Sequence, residues 1–255
     1  GSGLALVVPL GLSFLTFRLL DYVFLAAAGR LPAHRASDFA LYVVFLPIFA
    51  AGPIQRFDRF LSGRTEQTFL DDLRIALGRM LIGLIKAFAL PALLLGLAGY
   101  TGPQGVFTVL TDTLSAQPFW KVWATLWPMV IYFNQNFVGY SELAIGAGRR
   151  LGFRIAGNVD APFLSRSLPE FWRRWHITLG DWCRNYVFLP VARMTGSPAL
   201  AILATFLVIG LWHQGTLSWA MFGVVNGLAV LLSISVARRR WLDAVPDALR
   251  TAGGV

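Results

Sequence analysis

The chain has 255 residues, 56% of them hydrophobic and only 14% charged, with a mean hydropathy of +0.62. Its apolar runs approach the roughly 20 residues needed to cross a bilayer, so the composition is that of an integral membrane protein. The formal charge of +9 sits in short segments between those runs, a positive-inside pattern that gives nucleic acid little weight as a partner. A lone cysteine, Cys183, excludes an internal disulfide framework. Together with only three histidines it leaves a metal site without support.

In chain order, apolar segments lie near 3–29, 38–55, 80–99, 120–147, 198–213 and 216–237. No repeat or linker separates them, which implies a single membrane domain over 1–255. The opening GSGLALVVPLGLSF has neither a basic start nor a cleavage pattern, and its abruptness points to a fragment of a longer protein. The run 38–55 is short, broken by Pro47 and Gly52-Pro53 and flanked by basic residues. It is expected to be re-entrant or buried, because broken backbone at membrane depth needs protein around it. Segment 56–79 carries Arg56, Arg59, Arg64, Arg74 and Arg79, and 149–184 is richer still, whereas 102–119 has no Lys or Arg. The two basic segments therefore belong to the cytoplasmic side and 102–119 to the other, with a span on each side of it.

Three polar clusters interrupt the hydrocarbon. The first, Asn134, Gln135, Asn136, Ser141 and Glu142, falls toward the end of the fourth segment. Amides and a carboxylate at that depth need a partner or a water-filled cavity, and helix-to-helix hydrogen bonding is the commoner use of the amides. The second is FWRRWHITLGDWCRNYVFLP, residues 171–190. Ser167 with Glu170 three residues later, and Pro169 in the first turn, mark a helix start just before it. A continuous helix from there would put Phe171, Trp175, Thr178 and Trp182 on one face and His176 against Trp172 and Arg173. So much Trp and Arg suits an interfacial helix or a cavity wall better than a lipid-crossing one. Arg173 and Arg174 present guanidinium groups that suit phosphate, from a lipid headgroup or from a phosphate-bearing donor. The third cluster is GLWHQG: residues 198–213 are short for a span, and Gln214-Gly215 alone separates them from the next run, which ends at Arg238-Arg239-Arg240. This tight hairpin places His213 at a bend below the surface. Position allows either a functional ionisable group or an interfacial histidine beside Trp212 in an aromatic belt.

The blocks PLGLSFLTFRLLDY, FAAGPIQRFDRF, GYSELAIGAGRRLGF, APFLSRSLPEFWRRWHITLGDWCRNYVFLPV and GLWHQGTLSWAMFGVVNG resemble, in order and character, the membrane-bound O-acyltransferases. The likeness covers about 8–232 and is strongest to the bacterial branch that acylates alginate and other exported polysaccharides. The resemblance implies an all-α polytopic fold of about five to six hydrophobic segments plus the interfacial Trp/Arg helix. These would belong to a ring of helices around a thinned membrane centre, an incomplete one if the family's further helices are lacking, since family chains run to nearly twice this length. It implies a bacterial inner-membrane location and transfer of an acyl group, acetyl first among candidates, from a thioester to a hydroxyl of an exported or envelope glycan. The donor, acyl-CoA or an acyl carrier, would arrive from the cytoplasm as a substrate and not as a bound cofactor. The acceptor would be the glycan itself or an exported SGNH-type relay protein. His213 matches the catalytic histidine of the family's WHG motif, and His176 the histidine of its WRRWH block. Arg173, Arg174, Trp175, Asn136, Glu142 and Trp212 are the candidates for contact with substrate.

Departures accompany the match. Gln214 replaces the second glycine of GxWHG and is expected to crowd the histidine turn, while Asn136 and Val138 stand where the family commonly has Asp and Ser. An imidazole with an ordinary pKa near 6.5 suffices as general base for an activated thioester. Cys183 has no recognisable base, so an acyl-cysteine route is not favoured. Two other readings stay open on these residues: a proton-coupled transporter or scaffold of the same fold, and an acyltransferase acting on a protein or lipid.

Overall fold

The computed structural model describes residues 11–49, 52–64, 69–97 and 118–244; the segment assigned to the far side, up to residue 117, lies outside them. Among the described residues there is no β-strand, only an isolated antiparallel bridge between Arg64 and Phe153. The chain divides into two compact units, 1–158 and 159–255, at a boundary that no linker marks in the sequence.

The first unit contains α1 (Leu12–Ala27), α2 (Ala36–Val44), α3 (Phe57–Ser62), α4 (Phe69–Leu84), α5 (Leu90–Leu97) and α6 (Phe119–Arg150). Past α2 the chain breaks at Phe45 into a three-residue 3-10 turn carrying Pro47, and Tyr42, Phe45, Ile48 and Ile54 are buried. The run is broken as expected but only partly buried, since Leu41, Val44 and Leu46 are exposed. Phe45, Phe57, Phe60 and Phe153 interlock with Tyr42 at centroid distances of 4.6 to 5.3 Å. Polar groups tie the cluster together. The buried Asp21 carboxylate accepts from the Phe57 amide at 2.8 Å, satisfying the start of α3, and pairs with Arg56 at 3.3 Å.

Helices α4 and α5 are one continuous rod interrupted by a π turn over Ile85–Ala89. Pro91 explains the turn. It has no N–H to offer the carbonyl four residues back, at Ala87, and its ring disturbs that turn of helix. The side-chain amide of Asn136 on α6 donates to the same Ala87 carbonyl at 2.9 Å. Gly139 of α6 lies so close to Ala87 that a Cβ there would overlap the Ala87 backbone, so a small residue sets the helix spacing.

The second unit contains α7 (Leu168–Arg174), α8 (Ile177–Cys183), a π turn at Arg184–Phe188, α9 (Leu189–Thr195), α10 (Pro198–His213) and α11 (Leu217–Ala244). Helices α10 and α11 form the expected hairpin. It closes tightly because Gly210 faces the carbonyl of Trp219, and Gly223 that of Phe206, with no room for a methyl group at either position.

The all-helical class expected from the sequence is present, and of the five to six hydrophobic segments expected, two are confirmed as long enough to span. Two helical stretches among the described residues are long and apolar enough to cross a bilayer: Leu73–Gly96 with 24 residues and Leu217–Arg239 with 23. Helices α1 and α10 have 16 residues each, which at 1.5 Å per residue reach roughly 24 Å, short of a ~30 Å hydrocarbon core. Helix α6 has 32 residues, but its amides, Glu142 and terminal arginines dilute its apolar character. Leu77, Leu81, Leu84 and Phe88 on the first span, and Val225, Leu228 and Leu232 on the second, are exposed, as a surface facing lipid or further apolar chain would be.

Candidate active site

The helix start read from Ser167 is present. Ser167 Oγ accepts from the Glu170 amide at 3.3 Å, and the Glu170 carboxylate reaches past it to the Arg166 amide at 2.8 Å. The continuous helix expected beyond it is not. Helix α7 ends at Arg174, Trp175 is extended, and His176 adopts a left-handed conformation at φ 47, ψ 52 before α8 begins. A non-glycine residue in that region is under backbone strain of roughly 1–3 kcal/mol, of the kind found where a side chain is held for a purpose. The expected faces are therefore replaced. Trp175 folds back so that its indole stacks on Phe171, with centroids 6.3 Å apart at 14°, and the kink turns His176 into the unit's interior, where it is 7% exposed.

A cavity of about 250 Å³ opens there, lined by Trp172, Arg173, Trp175 and His176 from the kinked pair and by Phe206 and His213 from α10. The two histidines, 37 positions apart in sequence, thus line one cavity. Trp212 packs between them: its ring lies 6.0 Å from His176, edge-on, and 4.7 Å from His213. Burial, reinforced by the nearby His213, pushes His176 well below the usual imidazole range. It is neutral at any physiological pH. The His213 ring is flanked by Trp212 and by Trp219, the latter nearly parallel at 4.9 Å and 27°. The near-parallel Trp219 contact uses a face of the imidazole, whose nitrogens lie in the ring plane.

The remaining candidates separate. Arg173 is exposed and lines the cavity; Arg174 is committed to Glu170 one turn earlier, at 2.7 Å, an ion pair that holds the Glu170 carboxyl below its ordinary range after the larger effect of the Arg166 amide. Asn136 and Glu142 belong to the first unit, where Asn136 holds the Ala87 carbonyl and Glu142 pairs with Arg79 at 2.7 Å. The crowding expected from Gln214 is absent: its backbone is extended at φ −165, a conformation open to any residue, and its side chain turns to the Trp219 indole N–H at 2.9 Å. Burial pushes the Cys183 thiol up to about 12, which leaves it protonated and unreactive. Among the described residues no three His, Cys, Asp or Glu side chains gather as metal ligands would.

Sequence reasoning missed Asp181, Arg184, Thr205 and Ile209, which also line the cavity. Part of the signal was legible, because Thr205, Ile209 and His213 follow one another at four-residue steps and so form a single row along α10. Asp181 and Arg184 follow the kink, whose strain no helical pattern announces.

A cavity of this volume falls below the ~300 Å³ at which whole-ligand sites begin, and suits the reacting end of a substrate. The chain is 30% identical over 251 residues to the probable alginate O-acetylase AlgI of Pseudomonas aeruginosa, covering 96% of this chain and 45% of that protein. It is 29% identical to a teichoic acid D-alanyltransferase of Streptococcus thermophilus, covering 91% and 58%, and 27% identical to a peptidoglycan O-acetyltransferase of Helicobacter pylori, covering 83% and 40%. The chain thus spans about half the length of the relatives it matches. The membrane-bound O-acyltransferase profile matches residues 15–252, which takes in both units and both histidines, and the chain belongs to that family.

Proposed function

We propose that the protein of which this chain is part transfers an acyl group, acetyl foremost, from a thioester to a hydroxyl of an exported or cell-envelope glycan, with His213 as general base. The observation that carries this reading is the convergence of His176 and His213 on one cavity with Arg173 at its rim, in a chain of this family. In the reaction, a His213 ring nitrogen takes the proton of the acceptor hydroxyl as its oxygen bonds to the acyl carbon. The C–S bond then breaks, and the departing thiolate takes up the proton held by the imidazolium. His176, neutral and fixed by its kink, orients the thioester or the acceptor. Arg173 holds a phosphate of the donor from the cytoplasmic side. The acceptor, a glycan or an SGNH-type relay protein, approaches from the other face of a multi-pass inner-membrane protein.

Several lines support this assignment. The names of the relatives point to acyl acceptors in alginate, teichoic acid and peptidoglycan. The positive-inside distribution supports donor entry beside the basic segments. The decisive experiment is acyl transfer by the purified full-length protein with a thioester donor, comparing wild type with His213→Ala. A loss of roughly 10²-fold or more in kcat, with the protein still folded, is expected for removal of a positioned acid–base group. Near-wild-type transfer by the variant would overturn the mechanism, and proton-linked flux without any transfer would favour the transporter reading.

A further inference from the structure

Gln214 and Trp219 sit on either side of the bend between α10 and α11, and their side chains close on each other. The Trp219 indole N–H donates to Gln214 Oε1 at 2.9 Å, while the same indole lies nearly parallel to the imidazole of His213 at 4.9 Å and 27°. We propose that Gln214 and Trp219 are a positioning pair for His213: the glutamine fixes the indole, and the indole fixes the plane of the imidazole and with it the direction of its nitrogens. The proposal rests on the reading of His213 as the base.

Three observations lead to it. First, the torsion that turns an imidazole about its Cβ–Cγ bond is broad and soft. His213 occupies the exposed last position of α10, where the helix itself holds the ring least. Secondly, the indole is delivered to that ring by the backbone. Gly210 allows the carbonyl of Trp219 to approach α10 one turn before His213, and the bend is closed by the Thr216 amide donating to the Gln214 carbonyl at 2.6 Å. Thirdly, Gln214 has the geometry for the task. Its extended backbone leaves the helix axis, and its carboxamide returns to meet the indole five residues on. The resulting stack covers a face of the imidazole and leaves the in-plane nitrogens to exchange protons. An indole face also attracts the imidazolium that forms when the acceptor's proton arrives. Glycine at 214 would offer no acceptor, so the residue that departs from the family motif is the one that anchors the pair.

The test uses the full-length protein with a thioester donor and four variants: Gln214→Leu, Trp219→Phe, the double variant and His213→Ala. Trp219→Phe keeps a ring to stack but removes the N–H, and Gln214→Leu removes its acceptor. Each single variant is expected to lower kcat roughly two- to tenfold, the scale of one neutral hydrogen bond, with KM unchanged. The double variant should be no worse than the worse single, because both remove the same bond. A second measurement is independent of turnover: the rate at which diethyl pyrocarbonate modifies His213, followed by mass spectrometry of its peptide. That rate should change equally in the two single variants. Multiplicative losses in the double variant, or unchanged kcat and unchanged modification in folded single variants, would overturn the proposal. If His213→Ala itself retains transfer, the base assignment fails, and the modification rates alone then decide whether the pair holds the ring. Should Trp219→Phe fail to accumulate, the exposed Gln214→Leu site still carries both measurements.

Discussion

His34 in the first unit and His213 in the second are both surrounded by aromatic rings, and the protein holds them in opposite ways. The two nitrogens of His34 are occupied: Nδ1 donates to the Pro32 carbonyl at 2.8 Å, so Nε2 accepts from the Tyr22 hydroxyl at 3.1 Å. Its ring then packs edge-on to Phe57 and Tyr22 at 4.8 and 5.6 Å. His213 is stacked along a face by Trp219, and what it keeps available is its edge. A histidine whose nitrogens are consumed locally can only pack. One stacked along a face can still move a proton.

The largest effect expected from this contrast comes from exchanging the lesion between the two sites. His213→Ala should remove roughly 10²-fold or more of kcat and leave the unfolding temperature in detergent nearly unchanged. His34→Ala should do the reverse, leaving kcat within about twofold while lowering stability by about 1–3 kcal/mol, the consequence of losing two hydrogen bonds and a packed ring. Equal losses of activity in the two variants would erase the distinction.

Next in size is the scaffold under His213. Gly223→Ala would push a methyl group into the Phe206 carbonyl and separate α10 from α11. A loss of about 1–3 kcal/mol in stability is expected, as for overpacking elsewhere, together with reduced kcat because the bend carrying His213 moves. Gly96, which has open space around its Cβ position, is the control; Gly96→Ala should change neither quantity. If Gly223→Ala behaves like the control, the close packing of the hairpin does not position the histidine.

Arginine substitutions give a smaller, sharper contrast within one helix turn. Arg173→Ala should raise the KM for the thioester severalfold with little change in kcat, the signature of a contact made equally in ground and transition states. Arg174→Ala breaks its pair with Glu170 and should leave KM unchanged, with little loss of stability because the pair is solvent-screened. Matching KM values for the two variants would mean that Arg173 anchors lipid or nothing at all.

What was legible in the sequence follows the same physical divide. Periodicity and capping chemistry located α10 to the residue and the start of α7 at Ser167, because both depend on neighbours within a few positions. The interruption at Trp175–His176 was hidden, since it arises from burial of a histidine against α10, some thirty positions away. The use of Asn136 as a helix-to-helix donor was legible but its partner was hidden for a similar reason: Pro91 frees the Ala87 carbonyl, and only the packing of α6 on that rod brings an amide to it. Which apolar segments cross the bilayer was less legible, because a run such as 198–213 is apolar enough to be a span while its 16-residue helix is short of one. The meeting of the histidines was expected only through the family resemblance. It is the geometry of the second unit that shows them lining one cavity.

The smallest expected effect concerns the linkage between His176 and folding. Burial depresses its folded-state pKa, with His213 adding to the shift, whereas in the unfolded chain it titrates near 6.5. Below pH 6.5 the unfolded state therefore binds a proton that the folded state refuses. Stability contributed by this group is fully present above that pH and declines steadily as the medium is acidified. His176→Gln, similar in size and without charge at any pH, should flatten the fall in unfolding temperature between pH 6.5 and 5 relative to wild type, while His34→Gln should not. Because the neutral form of His176 prevails throughout that window, its titration cannot supply a limb of the pH–rate profile. Any acid limb that survives in His176→Gln and disappears in His213→Ala belongs to the ring stacked on Trp219. An unflattened stability curve accompanied by loss of the acid limb in His176→Gln would show the buried histidine titrating in that window, transfer the base to it and reverse the assignment of the two.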